Sequence, residues 1–205
     1  TNNVFADVLR GVYDSSEGSR YSIQLANTRY SILQEEKLLR LFRAQQPAGL
    51  IVTGINQTAE SRAILESMNC PITQIMEIGD SPVDMMVGFS HYDAGFAAIS
   101  HILEQGYRRV GFLGARMDPR VQRRFEGYRD ALKAVSLFDP NLVITTSVPT
   151  TVTLGGTLFA DLLAKTPDID AVFCVNDDLA LGVLFAIVFG VATGAGDKGD
   201  TVISE

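Results

Sequence analysis

Short apolar runs alternate with longer amphipathic ones along most of the chain, and this alternation restricts the fold more than any other feature. "AGLIVTG" (Ala48–Gly54), "PITQIMEI" (Pro71–Ile78), "MMVGFS" (Met85–Ser90), "RRVGFLGA" (Arg108–Ala115), "LVITTSV" (Leu142–Val148) and "DAVFCV" (Asp170–Val175) read as strands, as does "YSIQLAN" (Tyr21–Asn27). Helical stretches separate them. One is opened by Ser31 with Gln34 three residues on, a capping box. Another runs from His91, capped by Ser90, to Gly106. A third begins at Pro119 and carries Val121, Phe125, Tyr128, Leu132 and Val135 at helical spacing. Strands that alternate with helices predict βαβ units and parallel sheets, an α/β fold.

The rhythm restarts near Glu104–Arg109, which predicts two α/β lobes, residues 1–106 and 107–205. After about residue 185 the alternation gives way to the Gly-rich "VFGVATGAGDKGDTVISE". The opening "TNNVFADVLRGV" reads as a loop and a helix without the strand that should precede them, so a fragment is expected.

Composition narrows the function. The chain has 205 residues, 46% of them hydrophobic and 20% charged, with a net charge of −7. Such an acidic chain is a poor nucleic-acid binder by itself, because that affinity comes from neutralising phosphates. No apolar stretch reaches the ~18 residues of a membrane span, so no membrane association is expected. Cys70 and Cys174 stand alone beside apolar runs and read as reduced thiols of a cytoplasmic protein. His91 and His101 lack zinc spacing, and no P-loop, GxSxG or strand-following GxGxxG occurs. No catalytic residue, metal or cofactor is therefore expected.

Ligands of open parallel sheets sit beyond the carboxyl ends of the strands. Those positions hold Asn2 and Phe5 after the absent first strand, Glu77, Ser90 with His91, Arg116 to Arg124, and Asn176 to Asp178. Amides, carboxylates, arginines and an aromatic ring suit a polyol or sugar. The same residues also admit plainer roles. Asn176 can cap a helix whose first turn carries Asp177 and Asp178, and Arg116, Arg120 and Arg123 can face solvent. Arg124 differs, because it lies beside Phe125 on the inward stripe, where a charge needs a partner.

Four ordered motifs resemble the LacI/GalR family of regulators and its periplasmic sugar-binding relatives. They are "NNVFADVLRGV", "ILEQGYRRVGFLGA", "RRFEGYRDAL" and "VFCVNDDLALGVL". "VDMMVGFSHYDAG" is most similar to the gluconate-operon repressor branch. The resemblance implies a periplasmic-binding-protein-like fold: two Rossmann-like lobes with a ligand cleft between them. It also implies a homodimer that reaches operator DNA only through an N-terminal helix-turn-helix domain absent from this sequence. Carried over by motif, the effector contacts fall on Asn2, Phe5, Arg124 and Asn176, with Glu77 and Arg120 as further candidates. A small sugar acid such as gluconate is the expected effector. An extracytoplasmic sugar-binding protein of a transporter is the alternative, and a small α/β enzyme a more distant one.

Overall fold

Strand-forming runs become parallel strands wherever a neighbouring edge is available to pair with. The structure, a computed structural model, describes residues 3–190 and 202–204. Packing divides the chain into two compact units, Thr1–Gly88 and Phe89–Glu205.

In the first unit, helices α1 (Asn3–Ser16) and α2 (Ile32–Gln45) precede β1 (Leu50–Thr53), α3 (Ala59–Glu66), β2 (Ile72–Ile75) and β3 (Met85–Val87). The strands form a parallel sheet in the order β1-β2-β3. Ser31 and Thr58 cap α2 and α3, accepting from the N–H groups of Gln34 and Ser61. Leu39, Val52, Ile64, Leu65 and Ile72 form the core. Gln74 is buried among them and both ends of its amide are used: Nε2 donates to Gln57 Oε1 at 2.8 Å, and Oε1 accepts from the Val83 N–H at 2.8 Å. A buried amide satisfied in this way ties the loop after β1 to the segment entering β3.

The sequence expectation of a strand over Tyr21–Asn27 is not met. The segment joins no described ladder, and Tyr21 and Leu25 are exposed. Strand propensity stabilises little without a pairing edge and a face to bury.

In the second unit, α4 (His91–Glu104) leads to β4 (Val110–Ala115), α5 (Pro119–Ala134), β5 (Val143–Thr146), α6 (Val152–Lys165), β6 (Ala171–Cys174), α7 (Asp177–Val188) and β7 (Val202–Ser204). The sheet is parallel, ordered β5-β4-β6-β7. Every residue of β4 and β6 is buried, the continuous apolar pattern of strands covered on both faces. Phe112, Tyr128 and Phe173 anchor the core, with Phe112 ring centroids 5.0 Å from Tyr128 and 6.0 Å from Phe173. The Tyr128 hydroxyl donates to the Val110 carbonyl at 2.8 Å, fixing α5 to the start of β4.

Along the α5 stripe Leu132 is fully buried, whereas Phe125 is only partly so. Val135 is exposed, because the helix ends at Ala134 and Val135 is its C-cap. Cys70 is likewise only partly buried, while Cys174 is buried.

The packing boundary at Gly88 lies ahead of the junction expected at Glu104–Arg109. The cause is α4. Its interior Gly95 lies against the backbone of Arg124 on α5, so α4 packs with the second unit. In the tail, α7 continues to Val188, and 191–201 and 205 lie outside the described residues.

Candidate functional site

The carboxyl ends of β4 and β6 are where the second unit gathers polar side chains. Beyond β4 the chain turns through two consecutive residues with left-handed backbone, Arg116 (φ 63°) and Met117 (φ 48°). Non-glycine residues in that region carry strain and are met disproportionately at binding sites. The Arg116 N–H donates to the Val148 carbonyl at 3.0 Å, and the Gln122 side chain donates to the Met117 carbonyl at 2.8 Å, so both flanks of the turn are held. Asp118 then caps α5, its Oδ1 accepting from the N–H groups of Arg120 at 3.0 Å and Val121 at 3.2 Å. Sequence reading took Pro119 as the opening of this helix and missed Asp118, although an Asp directly before a Pro at the first helical position is a cap signal.

Arg120 sits in the first turn of α5, its Nε 4.0 Å from the Asp118 carboxylate and its side chain 20% exposed. Arg124 lies one turn further on and is partly buried. Its Nη1 donates to the backbone carbonyl of Val175. That carbonyl belongs to the residue after β6, immediately before Asn176.

Asn176 is the N-cap of α7, with extended backbone (φ −163°, ψ 169°). Its Oδ1 accepts from the Leu179 N–H at 3.1 Å. The cap uses the carbonyl side of the amide, so the group Asn176 can offer a ligand is its NH2, a donor. Asp178 is half-buried and Asp177 exposed in the first turn of α7, where negative charge is favoured by the helix dipole. The fold therefore brings Arg124 and Asn176 to one strand end, and both present N–H donors.

Phe5 and Glu77 belong to the first unit. Phe5 lies in the first turn of α1 and is half-buried. Glu77 follows β2 and is buried, its Oε2 accepting from Asn56 Nδ2 at 3.5 Å. Met76, just before it, has φ 73°, and its N–H donates to the Val87 carbonyl at 3.0 Å. Gly88 packs on the Glu77 backbone so closely that no Cβ would fit. Asn2 lies outside the described residues. His91 is buried, its ring edge-on to Phe89 at 4.7 Å.

Among the described residues, no group of three or more His, Cys, Asp or Glu is placed to hold a metal ion, and no helix is long and apolar enough to cross a membrane.

Residues 3–203 match the family described as periplasmic binding proteins and sugar binding domain of the LacI family. The chain is 39% identical over 183 residues to the HTH-type transcriptional regulator GntR of Pseudomonas aeruginosa, covering 89% of the chain and 53% of that protein. It is 31% identical over 184 residues to the HTH-type transcriptional regulator IdnR of Escherichia coli, covering 89% of the chain and 55% of that protein. The crystal structure of the transcription regulator GntR from Chromobacterium violaceum superposes with a TM-score of 0.88 at 35% identity, over 98% of this chain and 73% of that one. The chain thus spans about half the length of the curated relatives it matches, and those relatives are named as regulators rather than enzymes. With two parallel-sheet lobes and this match along its length, the chain belongs to the LacI family.

Proposed function

We propose that this chain is the effector-sensing domain of a sugar-responsive transcriptional repressor. It takes a small sugar acid of the gluconate type beyond the carboxyl ends of its strands. Binding there modulates how the full-length homodimer, through a separate helix-turn-helix domain, holds operator DNA in the cytoplasm. The observation that carries this reading is the donor pair at the end of β6: Arg124 tied to the Val175 carbonyl and Asn176 turned by its cap to offer an NH2 group. A cluster of donors suits a ligand rich in acceptor oxygens, and a planar guanidinium fork suits a carboxylate.

The charge distribution supports an anion. Arg116, Arg120, Arg123 and Arg124 are concentrated at this end of the second unit, in a chain whose net charge is −7. Local positive charge draws an anion toward a body that would otherwise repel it. The resemblance of "VDMMVGFSHYDAG" to the gluconate-operon repressor branch supports a sugar-acid effector over a neutral sugar. Asn2 and Asn176 meet hydroxyls in this reading, and Phe5 lies against the carbon chain. Glu77 and Arg120 are secondary contacts. The transporter-linked alternative is not favoured, since the relatives described above are named as regulators.

Calorimetric titration with gluconate, glucose and ribose tests the proposal. Gluconate is expected to bind tightest. Tighter binding of either neutral sugar would end the sugar-acid reading.

A further inference from the structure

Gly95 lies in the interior of α4 and is buried. A methyl group at this position would stand 2.5 Å from the carbonyl oxygen of Arg124, 3.1 Å from its Cα and 3.2 Å from its carbonyl carbon. The reverse face of the crossing is made by Gly127 of α5, where a Cβ would meet the Tyr92 carbonyl oxygen, the Phe96 nitrogen at 2.6 Å and the Gly95 carbonyl carbon at 3.1 Å. The two helices therefore touch backbone to backbone, and the residue of α5 against which Gly95 packs is Arg124. From the same residue, the side chain reaches the Val175 carbonyl at the end of β6.

We infer that Gly95 is a positioning residue for Arg124: it seats the backbone of α5 at the depth from which the guanidinium reaches Val175 and, with Asn176, the effector. The inference rests on the reading of Arg124 as an effector contact. The three atoms nearest a Cβ at position 95 are all backbone, so the closest contacts cannot be relieved by rotating a side chain. Ordinary contact begins at 3.4 Å, and the helices must part by roughly 1 Å to accept a methyl group. A binding constellation tolerates displacements of only about 0.5 Å. A helix-interior glycine is also destabilising relative to alanine, a cost that a close backbone seat accounts for.

Gly156→Ala on α6 serves as the control. Its Cβ would lie 3.3 Å from the Gly182 carbonyl oxygen and 3.8 Å from the Ala186 Cβ, a tight contact that touches neither α5 nor the Asn176 cap. Two readouts are taken on the whole 205-residue chain. The first is the nitrogen-15 NMR signal of the Arg124 Nη groups, assigned by its loss in Arg124→Lys. The bond to Val175 should hinder rotation about Cζ–Nη1 and slow proton exchange in the wild type and in Gly156→Ala. In Gly95→Ala the signal should average and its exchange accelerate. The second is gluconate titration, where Gly95→Ala should weaken binding at least tenfold and Gly156→Ala less than twofold. An unchanged Arg124 signal in Gly95→Ala, or gluconate affinity within twofold of wild type, overturns the inference.

If the wild type does not bind gluconate, the proposed effector fails, while the NMR signal still decides the role of Gly95. If Gly95→Ala does not fold, exchange in the wild type decides it. Arg124 Nη protons should open together with the backbone amides of α4 across a denaturant series, and exchange independent of α4 overturns the inference.

Discussion

Arg124 donates to the carbonyl of Val175, and the next residue, Asn176, accepts from the N–H of Leu179. A side chain from α5 and the first turn of α7 are thereby joined through one peptide at the end of β6. Each side chain thus has a place in the fold apart from the ligand contact proposed for it, and substitutions can address one role at a time.

Arg124→Lys keeps the positive charge and loses the planar fork. Gluconate should bind at least tenfold more weakly, about 1.4 kcal/mol, because an ammonium cannot make two parallel bonds to a carboxylate. Calorimetry reads the loss. Affinity unchanged from wild type would show that Arg124 contributes charge alone.

Asn176→Asp keeps the cap, since an aspartate accepts from the Leu179 N–H as well as an asparagine does. The thermal midpoint should stay within a few degrees of wild type. The donor NH2 is replaced by an anionic oxygen, so gluconate affinity should fall at least tenfold, and further at low salt, where repulsion is less screened. Unaltered gluconate binding with a normal melting curve would leave Asn176 as a cap only.

Leu132→Ala removes a fully buried side chain from the α5 stripe and should cost about 2–5 kcal/mol in denaturant unfolding. Phe125→Ala should cost less than a fully buried aromatic would, because Phe125 is only partly enclosed. A loss at Phe125 in the upper part of the ~3–5 kcal/mol range of a fully buried phenylalanine would contradict its partial burial.

Alkaline pH should destabilise the second unit. Burial pushes the Cys174 thiol from its ordinary 9.0 up to about 12. Burial, aided by the charge of Asp139, also raises the Tyr128 hydroxyl above its ordinary 10.0. Both groups ionise earlier in the unfolded chain than in the fold. Their contribution is therefore intact below pH 9.0, the unfolded value, and is lost progressively as pH rises toward 12. Urea midpoints measured from pH 8 upward should fall across that window. In the native state a thiol reagent should modify Cys70 well before Cys174.

The alternation of strand and helix was legible because burial on both faces leaves long apolar runs at β4 and β6, and because Ser31, Ser90 and Asn176 are cap residues standing at helix starts. Tyr21–Asn27 was misread because its alternation is local, whereas a ladder depends on a distant edge. For Arg124, its place on the inward stripe announced the need for a partner. That the partner is a backbone carbonyl 51 residues away is a tertiary fact no periodicity encodes. The packing of α4 onto α5 was not legible for a related reason. The glycine that draws α4 onto α5 was visible in "HYDAGFAAIS", but a helix-interior glycine says only that something comes close, not which helix.

At the opposite end of the second sheet, Asp170 accepts from the N–H groups of both Arg108 and Arg109, each at 2.8 Å, and Tyr128 holds the Val110 carbonyl. One carboxylate thus sets the starting points of β4 and β6 relative to each other. Strand alignment is fixed at the amino ends, far along each strand from Arg124 and Asn176. Substitutions of side chains at the carboxyl ends leave these amino-end bonds in place. On the proposed reading of Arg124 and Asn176 as ligand contacts, a few residues at the carboxyl ends can change while the bonds that set the strand starts stay as they are.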